Sequence, residues 1–423
     1  MLKTIGLVYL ALLSAQPEID LTSNLPDRSA PGLTIDRDSM LKMLENSKRH
    51  KPRLPLPEPT AKDRETAKNG TLGLVHNGLM RRYYLPTEWS TAAFPARSQQ
   101  SGLVDYAFKT ELFWIISRLN NCAYCLGHQE AKLATAGRTE AQIAALDGDW
   151  AGADTATKAA RTLAVLKTTS PDQPVPAEVW RDLATKFSPE QQGEILLTIA
   201  NYNAMNRWTG GLNIPQEEHR EYQSKLGNEA TRKVSVVIGS TGKAVWSTRK
   251  LPKFDAFMNS VNHIESLPRF SFESPDTDKS VPTWLGLMKT QGTTGQARLK
   301  SWEGAKQIES SEGVNVPALL RGQILWYSAR LDNAPHAAAE ARKMLKELGQ
   351  SDADLEALEN LGDGTKLDDK TSKVLNLVRL LTLNPAWVGD TDIKSVELLF
   401  GDRATAQIVE LACIAAAVDR LKP

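Results

Sequence analysis

The stretch Asn120-Asn121-Cys122-Ala123-Tyr124-Cys125-Leu126-Gly127-His128 holds two of the chain's three cysteines and one of its six histidines. Asn120-Asn121 reads as a helix break followed by an N-cap, which puts Cys122 and Cys125 in the first turn of a helix on neighbouring positions. Backbone N–H groups and the helix dipole stabilise a thiolate there. Taken alone, the dipole favours Cys122, nearer the terminus, as the more acidic thiol. A thiolate attacks a peroxide or a disulfide sulfur, and a second thiol at C-x-x-C spacing closes an intramolecular disulfide. Protons must be taken up and returned. His128 lies one turn beyond Cys125, and Glu111 lies on the preceding helical stretch.

Two other readings of the cluster stay open beside the redox one. Zinc wants four ligands, whereas Cys122, Cys125 and His128 supply three, and no second C-x-x-C or His pair exists. The zinc-deaminase order places H-x-E before its C-x-x-C, but His128-Gln129-Glu130 follows here. Covalent haem needs the histidine directly after the second cysteine and is excluded. The third reading is two inert buried thiols. The redox reading calls for no metal and no cofactor.

The elements that must hold this cluster are helical. From Val104 onward apolar residues recur at three- and four-residue steps, as in Phe108, Leu112, Ile115, Ile116 and Leu119. Further helices are expected over 122–135, 139–146, 155–167, 176–186 and 189–208, the last stopped by Thr209-Gly210-Gly211. The fold class is therefore all-α. Residues 16–80 are rich in proline and charge and read as an extended arm with one short helix near 38–46; the basic run from Ser47 to Arg53 reads as a solvated linker. Residues 226–280 break the pattern: "KVSVVIGSTGKAVW" alternates like a small hairpin and "LPRFSFESPDTDKSVP" reads as a linker.

The helical pattern then returns at an offset of 212. Trp114 meets Trp326, Arg118 meets Arg330, Asn121 meets Asn333, Gly137 meets Gly349 and Lys158 meets Lys370. Near the end "EILLTIANYNAMNR" meets "QIVELACIAAAVDR" at an offset of 213. This internal duplication divides the chain into 81–225 and 281–423. The reactive residues are lost together in the second copy. Cys122 becomes Ala334, Cys125 becomes Ala337, His128 becomes Glu340, and Glu111 becomes Gln323, so the first copy carries the chemistry and the second is a degenerate partner.

"ELFWIISRLNNCAYCLGH" resembles the carboxymuconolactone decarboxylase-like superfamily, in its alkyl hydroperoxidase D-like branch, which carries a Glu, a C-x-x-C and a His on an all-helical fold. The resemblance covers both halves and implies two tandem domains of that fold. It implies Cys125 as the thiol that attacks peroxide, Cys122 as the resolving thiol, and His128 with Glu111 as the proton relay. The family places its His four residues after the second cysteine, where this chain has Gln129. Its Glu stands twelve residues before the first cysteine, and Glu111 stands eleven before. A small-molecule peroxide and an external thiol or dithiol reductant are the implied partners, and a homo-oligomer is the family's usual state. The superfamily's decarboxylating lyases, or a non-enzymatic metal-holding or interaction module, are the alternatives; a lyase does not need the cysteine pair.

Other residues carry weaker expectations. Tyr124 and Trp114 pack or wall a small pocket, and Asn201, Asn203 and Asn206 line that pocket or hydrogen-bond between helices. His76, His219, His263 and His336 are isolated, and Cys413, in the apolar run "LACIAAAV", is expected to be inert. The 51 lysines and arginines against 50 aspartates and glutamates give a net charge of +1, with no clustered positive field for nucleic acid or an acidic membrane. At the N-terminus Lys3, an apolar stretch over 4–13 and Ser14-Ala15 form the grammar of a secretory signal over residues 1–15 that is too short to span a bilayer. Export to the periplasm or exterior is expected, with a cytoplasmic chain and a buried N-terminal helix as the alternative.

Overall fold

The computed structural model describes residues 19–20, 37–68, 75–91, 102–148, 150–218, 250–266, 292–309, 311–359 and 367–421. The expected signal, the expected hairpin, His219 and most of the second linker lie outside these residues. Among the described residues the fold is all-α, with seventeen helices. The flanking elements of the first half are α1 (Arg37–Asn46), α2 (Ala61–Lys68), α3 (His76–Tyr84) and α4 (Thr87–Thr91). Its body is α5 (Tyr106–Leu119), α6 (Ala123–Thr135), α7 (Glu140–Ala144), α8 (Thr155–Thr169), α9 (Ala177–Leu183) and α10 (Pro189–Gly211). Next come α11 (Phe254–Ser266) and α12 (Gly292–Lys306). The chain then repeats its body as α13 (Ala318–Leu331), α14 (Pro335–Glu347), α15 (Asp352–Ala357), α16 (Asp369–Leu383) and α17 (Asp390–Asp419). A two-residue antiparallel pairing joins Ile19–Asp20 to Lys250–Leu251.

At the offset read from residue identities, several helices match in length and in their corners. α5 and α13 each have 14 residues, α6 and α14 each have 13, and α8 and α16 each have 15. Asn121 and Asn333 both take the left-handed conformation, with φ of 49° and 47°, at the tight corner before α6 and α14. Gly137 and Gly349, both at φ 82°, end those two helices, where the positive φ needs a residue without Cβ. Buried ion pairs are repeated as well: Arg118 Nε meets Asp147 at 3.2 Å, and Arg330 meets Glu359 at the same offset. Between α8 and α16 the register slips by two. Both are capped by aspartates, Asp154 and Asp368, so the counterpart of Lys158 is Ser372 rather than Lys370. Where Ser188 caps α10 and separates it from α9, Gly401 (φ 76°) kinks α17 between two helical stretches.

The halves do not have separate cores. α10 packs along α17, and one continuous apolar cluster runs through both halves. Against α16, a Cβ on Gly211 would stand 2.6 Å from Leu381 Cδ2, so this glycine permits a close approach. α10 runs through the stop expected at Thr209-Gly210-Gly211 as far as Gly211, with Leu212 as its C-cap and Asn213 turning left-handed at φ 50°. α1 packs on α6 and α11 on α14, so both stretches read as arm and linker contribute a helix to the body.

The basic run before the proline-rich segment is a strap rather than a solvated linker. Arg53 Nη1 donates to the carbonyls of Gly210 and Gly211, both at 2.9 Å, and its Nε donates to Asp390 at 2.8 Å. The guanidinium thereby satisfies the free carbonyls at the C-terminus of α10 and ties it to the start of α17. Among the described residues no helix is long and apolar enough to cross a membrane.

Candidate functional site

α5 is buried all round from Lys109 to Leu119, because it lies between α6, α8 and α10. Its end feeds the corner at Asn121, and the Cys122 N–H donates to the Ser117 carbonyl at 2.9 Å. The left-handed Asn121 moves the cap one residue along from where the sequence suggests it. Cys122 (φ −88°, ψ 94°) is the N-cap of α6, and Cys125 lies in the first turn. Both are free thiols, each 2% exposed, with the sulfurs 3.4 Å apart.

The two sulfurs share one hydroxyl. Thr209 Oγ1, near the C-terminal end of α10, stands 3.0 Å from each, and it also donates to the Met205 carbonyl at 3.0 Å. While that hydroxyl donates to Met205, the thiols can only donate to its oxygen. Once a thiol ionises, rotation about the Cβ–O bond turns the same hydroxyl into a donor to sulfur.

The two thiols are unequal. Burial pushes the Cys122 thiol up, but the Cys125 thiol, the Thr209 hydroxyl and the backbone N–H groups of Cys125 and Tyr124 outweigh it, and the net direction is down. For Cys125 burial raises the thiol and the adjoining Cys122 raises it further, so it stays protonated. The geometry therefore favours Cys122 as the thiolate, in line with its place at the helix N-terminus.

His128 lies on the next turn of α6. His128 Nε2 stands 2.9 Å from Glu217 Oε2. Tyr124 OH donates to Glu217 Oε1 at 2.7 Å, the His76 N–H donates to the same oxygen at 3.0 Å, and the rings of Tyr124 and His128 are 4.5 Å apart. Burial alone would raise the Glu217 carboxyl, but His128, Tyr124 and the His76 N–H hold it well below the usual carboxylate range. Glu111, the expected relay acid, is instead fixed by two arginines: Arg138 Nε at 2.9 Å on one oxygen and Arg161 Nη2 at 2.8 Å on the other. Glu111 is next to the motif in sequence, but α5 turns its carboxylate toward α8 and the end of α6. The carboxylate at His128 is Glu217, which the sequence reading did not single out.

Glu217 belongs to a short segment that closes over the site. Ile214, Pro215, Gln216 and Glu217 are all buried, and Gln216 Nε2 donates to the carbonyls of Ala123 and Tyr124 at 2.8 and 2.7 Å. His76, read as isolated, sits at this closure with Nδ1 2.9 Å from the Pro215 carbonyl. Trp114 packs fully buried and donates Nε1 to Glu130 at 2.5 Å. Asn203 bonds Asn120 and Thr168, and Asn206 bonds Ser117, so these asparagines join helices. Cys413 is buried in α17, and burial pushes its thiol well up.

In the second half Ala334 and Ala337 occupy the thiol positions, fully buried, and Glu340 at the His128 position pairs with Lys306 at 2.8 Å. Among the described residues no group of three or more His, Cys, Asp or Glu side chains is arranged to hold a metal ion. No protein-family model matches the chain, and no curated protein matches it either.

Proposed function

We propose that the first half is a thiol-dependent peroxidase or disulfide oxidoreductase in which Cys122 and Cys125 cycle between dithiol and disulfide. The observation that carries this reading is the pair of free sulfurs 3.4 Å apart at a helix N-terminus, both on the Thr209 hydroxyl. A disulfide needs the sulfurs at about 2.05 Å, a closure that side-chain rotation can make at this spacing. The motif's resemblance to the alkyl hydroperoxidase D-like branch supports the same chemistry.

The steps balance without a metal or cofactor. The Cys122 thiolate attacks the distal oxygen of a hydroperoxide; the O–O bond breaks, Cys122 becomes a sulfenic acid, and the leaving alkoxide takes a proton to depart as alcohol. The Cys125 sulfur then attacks Cys122, the S–O bond breaks, and hydroxide leaves as water after taking the Cys125 proton. An external dithiol reduces the disulfide by two exchange steps and is itself oxidised. In the oxidoreductase version the first attack falls on a substrate disulfide in place of peroxide. His128, held by Glu217, supplies and removes protons beside the pair.

Attack is assigned here to Cys122, where the resemblance implied Cys125, because the backbone N–H groups of Cys125 and Tyr124 favour charge on Cys122, which in turn raises the Cys125 thiol. Sulfenic-acid labelling with dimedone after one equivalent of hydrogen peroxide separates the two roles. Cys125→Ser should label on Cys122, and Cys122→Ser should label at least tenfold more slowly. Faster labelling of Cys125 would reverse the roles. No label in either variant would contradict peroxide reduction.

A further inference from the structure

A second constellation lies where the halves meet, with Cys413 within electrostatic reach, and every one of its members is at least nine-tenths buried. Arg81 on α3 binds Glu410 on α17 through both carboxylate oxygens, at 2.6 and 2.9 Å. Its guanidinium lies over the Trp208 ring at 4.8 Å. Beside this pair Arg298 on α12, 2% exposed, donates Nε to the neutral Asn201 Oδ1 at 2.8 Å. Both Glu410 oxygens are taken by Arg81, so Arg298 brings a positive charge to the seam whose hydrogen-bonded partner is an amide.

Within this cluster the orphaned atoms are nearly all of one kind. Among the described residues, Arg298 Nη1, Asn201 Nδ2, Trp208 Nε1, Arg81 Nε and Ser301 Oγ are buried without a hydrogen-bond partner. The four nitrogens can only donate, and the Ser301 hydroxyl can donate. Three of the five are gathered in one place. Asn201 Nδ2 belongs to the amide that Arg298 already touches, and Ser301 is three residues from Arg298, on the same face of α12. Buried donors in native proteins almost always find acceptors, and an unmatched buried charge is strongly unfavourable. Burial pushes the Arg298 guanidinium down to about 10, with Glu410 pulling it up and Arg81 pushing it down.

We propose that the seam between the halves is a binding site for a compact oxyanion, a carboxylate or a phosphoryl group, held by Arg298, Ser301 and Asn201. An oxyanion supplies acceptors only and one or two negative charges, which complements both deficits at once. The site stands at a junction of elements that also build the redox centre. α10 carries Asn201 as well as Thr209, and α3 carries Arg81 as well as His76.

The test is thermal unfolding of the full chain against inorganic phosphate and, separately, acetate at constant ionic strength. Either probe should raise Tm saturably, by about 3 °C at roughly one hundred times its Kd for a chain of this length. A response to phosphate alone identifies a phosphoryl ligand, and one to acetate a carboxylate. Arg298→Met should abolish the response and Ser301→Ala should weaken the apparent Kd about tenfold. If Arg298→Met does not fold, Ser301→Ala decides. No saturable shift with either probe, or a shift unchanged in both variants, would overturn the assignment.

Discussion

Residues 118–135 and 330–347 are two solutions to one packing problem. Both begin with a buried arginine bound to an acid 29 residues on, turn through a left-handed asparagine, and form a helix of 13 residues ended by the same glycine turn. In the second, the positions facing the core hold Ala334 and Ala337; in the first they hold Cys122 and Cys125. The scaffold therefore closes without sulfur. What the first half adds is the Thr209 hydroxyl on both sulfurs and, one turn along α6 from Cys125, the His128–Glu217 pair. Shared features set the corner, and unshared ones carry the proposed chemistry.

That division is broken most severely by making the first half like the second. Cys122→Ala with Cys125→Ala should abolish peroxide and disulfide turnover while changing stability by only on the order of 1 kcal/mol, seen as a small Tm shift with unchanged helical circular dichroism. A collapse of the fold would mean that the thiols are structural.

The converse change strikes what the halves share. Arg118→Met leaves Asp147 buried without its partner, and Arg330→Met does the same to Glu359; each should cost about 3–5 kcal/mol in denaturant unfolding. The two penalties should be similar, because the pair serves the corner and not the cysteines. A large loss in one half only would contradict a common scaffold.

Glu217→Gln sharpens the chemical side. With the imidazole less firmly held, turnover should fall by about 100-fold, within the usual range for a general acid–base group. The same variant has a pH signature. The Glu217 carboxyl is lowered in the folded chain, so it contributes stability above its ordinary value of 4.5 that is lost as pH falls from there toward the folded value. In Glu217→Gln this part of the acid limb should disappear. Glu111→Gln should leave both the thiol chemistry and that limb largely as they are.

The smallest effects should again be symmetric. Gly137→Ala and Gly349→Ala place Cβ at φ 82° with open space around it, so each should cost about 1–2 kcal/mol through backbone strain alone. Equal Tm shifts would support equivalent helix ends in the two halves.

Much of this was legible from the residues. The 3.6-residue pattern placed the helices, and recurring residues at an offset near 212 foretold the matched helix lengths of the two halves, because these signals are local. The cysteine pair was legible for the same reason. What depended on tertiary placement was not. Glu217 reaches His128 from 89 positions away, and Thr209 reaches Cys122 from 87, with no pattern in the intervening sequence to announce either. Glu111 looked suitable because it is near in sequence, but the helix faces turn it to Arg138 and Arg161. Arg53 looked like linker because a basic, proline-flanked run gives no sign of the helix end it will cap.

The most direct measurement is intact-mass thiol trapping of the reduced chain before and after one equivalent of hydrogen peroxide. Its three cysteines provide their own control, since Cys413 is buried in α17 and outside the pair. Under denaturing alkylation the reduced chain should take three labels. The oxidised chain should take one, on Cys413, with a mass lower by about two hydrogens before labelling. Three labels after peroxide, with Cys122 and Cys125 both still alkylated, would contradict the redox cycle.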